Sequence, residues 1–134
     1  MKITADTNVL VRAAVMDDPG QSVLAAETLL EAEAVAVTLP SLCEFVWVLM
    51  RGYGRSATDV AAAIRKLIAG TSVLVDRPAV EAGLAILDKG GDFADGIIAF
   101  EGRRLGGRVF TSFDKEAVAL VEATGGETRL LSKR

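Results

Sequence analysis

Four acids stand where the chain could do chemistry. Asp6 interrupts an apolar run in ITADTNVLVRA (3–13), and Glu44 lies in LPSLCEF, Asp95 in GGDFADGIIAF and Asp114 in TSFDKEA. An unpaired buried carboxylate is costly to desolvate, so Asp6 at the end of an apolar run calls for a compensating partner. The chain has no His and a single Cys, Cys43. That removes Ser-His triads, His general bases, zinc sites of the Cys/His kind and internal disulfides together. Catalysis here has to run on carboxylates, hydroxyls, Lys/Arg or a hard metal ion. Two carboxylates about 5 Å apart repel by roughly 3 kcal/mol at an effective dielectric near 20, so a cluster of acids asks for a cation. Magnesium, with manganese as its substitute, takes oxygen ligands and is commonly held by one or two carboxylates plus phosphates. Such a site suits phosphodiester hydrolysis by a metal-activated water.

The elements that must position these acids follow from periodicity. Short, mostly β-branched runs at 3–5, 35–38, 72–75, 108–111 and 128–131 read as buried strands. Stretches with apolar residues at three and four spacing, 9–16, 21–33, 41–50, 57–69, 79–88, 93–105 and 115–123, read as helices. Gly70, Gly90/Gly91, Gly106/Gly107 and Gly125/Gly126 sit where helices should stop. Alternating strands and helices predict an α/β fold, a parallel sheet of four to five strands covered on both faces by helices. In such sheets ligands bind beyond the carboxyl ends of the strands, where strand order reverses. With order 3-2-1-4-5, that rule selects Asp6, Glu44, Asp95 and Asp114 for one rim.

Capping competes with this reading. Ser41 and Glu44 form an S-x-x-E box, Asp92 precedes Asp95 by three residues as an N-cap, and Asp114 precedes a helix start. Asp17, Asp18 and Asp59 read as solvated or capping acids. Asp6 is the one acid that capping does not account for.

ADTNVLVR, LCEFVWVLMRGY, DFADGIIA and TSFDKEA, in this order and at these separations, closely resemble the PIN-domain ribonucleases, in particular the VapC-type toxins of bacterial toxin-antitoxin modules. The four motifs span residues 3–117. The resemblance implies a single PIN domain over 1–134, three-layer α/β/α with strand order 3-2-1-4-5, and a metal-dependent endoribonuclease whose catalytic acids are Asp6, Glu44, Asp95 and Asp114. Asp6 and Asp95 resemble the principal magnesium ligands, with Glu44 and Asp114 acting through water or on a second ion. Asn8 is expected to orient Asp6 or touch phosphate. Ser112 stands where the family commonly has Thr, and Thr7 reads equally as a turn hydroxyl. The resemblance also implies a homodimer and a VapB-type antitoxin.

RNA needs positive charge near the acids. Arg12, Arg51 and Arg55 are the candidates, with Arg103, Arg104 and Arg108 behind them, and Arg12 reads first as a solvated helix arginine. The segment 42–50 is apolar almost all round: Leu42, Phe45, Val46 and Leu49 form one face, Cys43, Trp47 and Met50 another, so either the helix is fully buried or one face meets another chain, and Trp and Met favour the interface. The longest apolar stretch is too short to span a bilayer and no secretory signal is evident, so a cytoplasmic protein is expected. Two other classes are weighed. A receiver or phosphatase-like phosphotransfer domain would want a second acid beside Asp6 or two residues on, where Asn8 sits. A PIN-like module that binds RNA without cutting would not need all four acids.

Overall fold

A computed structural model describes residues 1–132. The chain divides into two compact units, one from Met1 to Asp76 and one from Arg77 onward. Each is α/β with parallel strands.

The first unit runs β1 (Lys2–Thr4), α1 (Thr7–Ala14), α2 (Pro19–Glu31), β2 (Ala34–Ala36), α3 (Leu39–Trp47), a π-helical turn (Val48–Gly52), α4 (Ala57–Ile68) and β3 (Val73–Leu74). β2 lies between β1 and β3, parallel to both, with Ile3 opposite Val35 and Val35 opposite Val73. The second unit runs α5 (Arg77–Asp88), α6 (Phe93–Arg104), β4 (Val109–Ser112), α7 (Lys115–Ala123) and β5 (Glu127–Leu130), with β4 parallel to β5. The expected order is met within each unit as 3-2-1 and as 4-5. The expected single sheet is present as two sheets, of three and of two strands.

All seven expected helices form, and α1, α2, α3 and α5 each begin two residues earlier than the apolar spacing predicts. Caps explain three of these starts. Asp6 caps α1. Asp18 accepts the Gln21 N–H at 3.2 Å, with Pro19 in the first turn of α2. Thr38 accepts the Ser41 N–H at 3.3 Å, with Pro40 in the first turn of α3. A first-turn proline loses no hydrogen bond, because its missing N–H has no partner within the helix. Helix ends follow the glycines as expected: Gly90, Gly106 and Gly125 have φ of 85°, 103° and 93°, which a side chain would strain.

Two expectations change. Only β2 carries a buried residue, Val35; β1, β3, β4 and β5 are not buried strands. In β4 Phe110 and Ser112 are half-buried while Val109 and Thr111 are exposed, because α6 and α7 pack on one face. The all-round apolar segment also divides: Leu42, Phe45, Val46 and Leu49 are core, whereas Trp47 is 65% exposed. In the second unit the core is Val80, Leu84, Leu87, Phe93 and Ile97, where α5 meets α6. Gly96 permits that packing. A Cβ there would run into the Ala82 carbonyl and the Gly83 backbone, so a small residue sets how closely the N-terminal half of α6 approaches α5.

Candidate functional site

Asp6 sits two residues past β1, and its backbone carbonyl accepts the Val9 N–H at 3.1 Å as α1 begins. Its side chain is exposed, and Oδ1 accepts the Thr7 N–H at 2.8 Å. Both points correct the sequence reading: Asp6 is a capping residue, and it escapes the desolvation cost of burial because the helix starts directly on it. The hydrogen bond uses only Oδ1. The next residue carries the buried polar atom. Thr7 is 9% exposed and its hydroxyl oxygen has no hydrogen-bond partner, so it does not serve as the expected turn or cap hydroxyl.

Glu44 is exposed on the second turn of α3. The expected Ser41 capping box is absent because Thr38 is the cap, and Ser41 instead gives its N–H to Thr38. Glu44 is therefore held by its place on the helix and by no capping duty. Asp6 and Glu44 line one cavity of about 390 Å³ with Thr7, Asn8, Val11, Arg12, Val48 and Tyr53. The cavity opens beside the π-helical turn, an irregularity frequent at functional sites.

Arg12 is half-buried and paired. Its Nη1 donates to Asp17 Oδ1 at 3.0 Å and to the Tyr53 hydroxyl at 3.5 Å, while Tyr53 Oη donates to Asp17 Oδ2 at 2.9 Å. The Tyr53 hydrogen bond, then that of Arg12, holds the Asp17 carboxyl below the ordinary carboxylate range. The bond to Asp17 raises the Tyr53 phenol, while Arg12 works in the opposite direction. Asp17, read in the sequence as a solvated or capping acid, is instead paired with Arg12 and Tyr53, and nothing local in the sequence joins it to Tyr53, 36 positions on. Arg51 and Arg55 are both exposed, Arg51 in the π-helical turn and Arg55 beside a smaller cavity with Asp59 and Leu49.

The second unit carries its own acids. Asp92 is the N-cap of α6 and accepts the Ala94 N–H at 3.0 Å. Asp95 stands in the first turn and is half-buried. Burial, then the charges of Asp92 and Asp114, pushes the Asp95 carboxyl above its ordinary value. Asp114 caps α7 as expected, its Oδ1 accepting from the Glu116 and Ala117 N–H groups at 2.9 and 3.1 Å. Ser112 accepts the Asp114 N–H at 3.0 Å, so its hydroxyl oxygen braces the acid. Arg104 lies over the Phe100 ring, 4.5 Å from its centroid.

Within neither unit, among the described residues, do three acidic or thiol groups gather closely enough to hold a metal ion together. Each unit nonetheless offers oxygen donors of the kind a hard cation takes, and one or two carboxylates suffice when phosphate supplies the rest. The crowding that raises Asp95 is the electrostatic condition a cation would relieve. Among the described residues, no helix is long and apolar enough to cross a membrane. The sequence matches the PIN domain family over residues 3–122. No curated protein matches the chain.

Proposed function

This chain belongs to the PIN-domain family, whose members are generally nucleases, and on that premise we propose that it is a magnesium-dependent endoribonuclease, the toxin of a cytoplasmic VapBC-type toxin-antitoxin pair. The observation that carries the reading is the shared cavity. Asp6 and Glu44, from different helices, line it beside the Asn8 amide and the Arg12 guanidinium. Two acids able to hold a cation beside hydrogen-bond donors suit a phosphodiester substrate whose charge the cation meets.

Asp6 and Asp95 are each offered as a magnesium ligand, with manganese as substitute. When bound, the ion supplies charge neutralisation at the phosphoryl group and a more acidic water. The chain's own residues do the rest. Asp6 keeps Oδ2 outside its capping bond, and Asp114 keeps Oδ2 outside its two, so both acids can cap and still accept from a water or bind a cation. Glu44, with no cap to serve, accepts from the attacking water and orients it. Ser112 fixes Asp114 by accepting its N–H. Asn8 offers an amide donor to phosphate. Arg51 and Arg55, both exposed, draw RNA toward the cavity. Exposed Trp47 is the anchor of a homodimer or antitoxin contact, and Trp47→Ala should weaken that association more than it lowers monomer stability.

Purified protein should cleave RNA with magnesium or manganese and lose the activity in chelator. Asp6→Asn should lower the rate by about 10²-fold or more with the fold retained, as for removal of a key electrostatic group. Cleavage that persists in chelator overturns the metal mechanism. Binding without cleavage points to the non-cutting module. Expression of the chain alone should arrest bacterial growth and Asp95→Asn should not; equal toxicity refutes the toxin role.

A further inference from the structure

The cavity of the first unit contains more than the acids use. Arg12, at the end of α1, Asp17, before α2, and Tyr53, after the π-helical turn, close into a hydrogen-bonded triangle at its wall. Asp17 takes Arg12 on one oxygen and Tyr53 on the other. Two consequences follow for the guanidinium. Its charge is already met by a carboxylate at 3.0 Å, so a phosphate would have to compete with Asp17 for it. Its plane is held by two partners, and both contacts use Nη1, which leaves Nε and Nη2 as a fixed pair of donors.

The rest of the lining is of matching character. Val11, Val48 and the Tyr53 ring are flat or apolar surface, and Asn8 adds a donor and an acceptor. Thr7 lines the same cavity, and its hydroxyl oxygen, itself fully buried, has no partner in the protein. A buried polar group without a partner is a cost that a bound ligand or water can offset. The volume, about 390 Å³, lies within the range of small-ligand pockets, roughly 300–1,000 Å³. Single-stranded RNA is read by stacking unpaired bases on aromatic or apolar surface and hydrogen-bonding their edges. An arginine fork matches the O6 and N7 acceptors of guanine better than any other base edge.

We propose that this cavity binds one guanine base of the RNA substrate, the Tyr53 ring and the two valines lying against it and Arg12 donating to O6 and N7. The proposal deepens the nuclease reading and rests on it, because Asp6 and Glu44 line the same cavity and the base would lie beside the scissile linkage. Asp17 and Tyr53 are positioning residues that hold the Arg12 fork.

The test separates base recognition from cleavage by omitting both phosphate and metal. Guanosine, adenosine, cytidine and uridine, with ribose as control, are titrated into the full chain in chelator while backbone amide resonances are followed. The expected result is movement at Val11, Arg12, Val48 and Tyr53, with guanosine at least about tenfold tighter than the other three, as one bidentate contact gives. Arg12→Gln should erase the preference. Tyr53→Phe, which keeps the ring and removes the hydroxyl, should retain binding with a reduced preference. Equal response to all four nucleosides, the same response to ribose, or movement confined to residues away from the cavity overturns the proposal. A protein that binds guanosine here yet cuts no RNA with magnesium overturns the nuclease reading instead.

Discussion

The acids of the two units differ in how they are held. In the first unit Asp6 and Glu44 are exposed and line a cavity with a guanidinium, a phenol and an amide. In the second, Asp95 is half-buried among Asp92 and Asp114, with its carboxyl pushed up by burial and by their charge. One region surrounds its acids with hydrogen-bonding side chains; the other concentrates negative charge at two helix starts. The contrast teaches that an acid's role depends on what else its helix asks of it. Asp114 binds two backbone N–H groups and Glu44 binds none, although both stood in capping contexts in the sequence.

The sharpest way to break the comparison is to separate capping from chemistry. Glu44→Gln should reduce cleavage by about 10²-fold while leaving the urea midpoint unchanged. Asp114→Ala should lose both activity and about 1 kcal/mol of stability, and Asp114→Ser, which still caps, should restore the stability alone. A stability loss in Glu44→Gln matching that of Asp114→Ala would erase the distinction.

Next in size is the packing that carries Asp95. Gly96→Val forces a side chain against the Ala82 carbonyl, and should cost about 1–3 kcal/mol by overpacking, read in a denaturant titration. An unchanged midpoint would mean that α6 does not depend on this close approach.

The remaining two effects are electrostatic and smaller. Tyr53 is the single tyrosine, so its ionisation can be followed by absorbance. Bonding to Asp17 raises the phenol, and Asp17→Asn should bring its titration back toward the ordinary value near 10. A titration unmoved by the substitution would mean that the triangle does not persist in solution. The least effect is expected at Asp95. Its folded carboxyl titrates above the unfolded value, so the protonated form favours the fold, and that advantage fades as pH rises through the folded value. Asp95→Asn should therefore stabilise at neutral pH by about 0.5 kcal/mol or less, the gain vanishing at pH below the ordinary carboxylate range. Destabilisation at neutral pH would show that ionised Asp95 is compensated in the folded protein.

Much of the fold was legible because local rules agree. The three-four spacing of Val60, Ala61, Ile64 and Ile68 marks α4, and those four side chains are buried as the pattern demands. Glycines at 90, 106 and 125 end helices because only they take a positive φ without strain. The early starts of α2 and α3 lie outside the apolar spacing: they follow from the Asp18 and Thr38 caps and from Pro19 and Pro40, which the first turn of a helix accommodates. Asp6 was misjudged for a related reason: its exposure depends on where α1 begins, which the alternation of residue types does not show.

By itself the sequence determined the chemistry available. A chain with no His and one Cys is left with carboxylates, hydroxyls, Lys/Arg or a hard metal ion, and the order of its four acidic motifs marked the family that the match over residues 3–122 established. Only the tertiary structure decided the company those carboxylates keep. Asp17 meets Tyr53 across 36 positions of chain and Arg12 meets it across 41. No propensity or spacing rule links residues so far apart, because that proximity is created by the packing of α1, α3 and the π-helical turn and exists only once their apolar faces are buried.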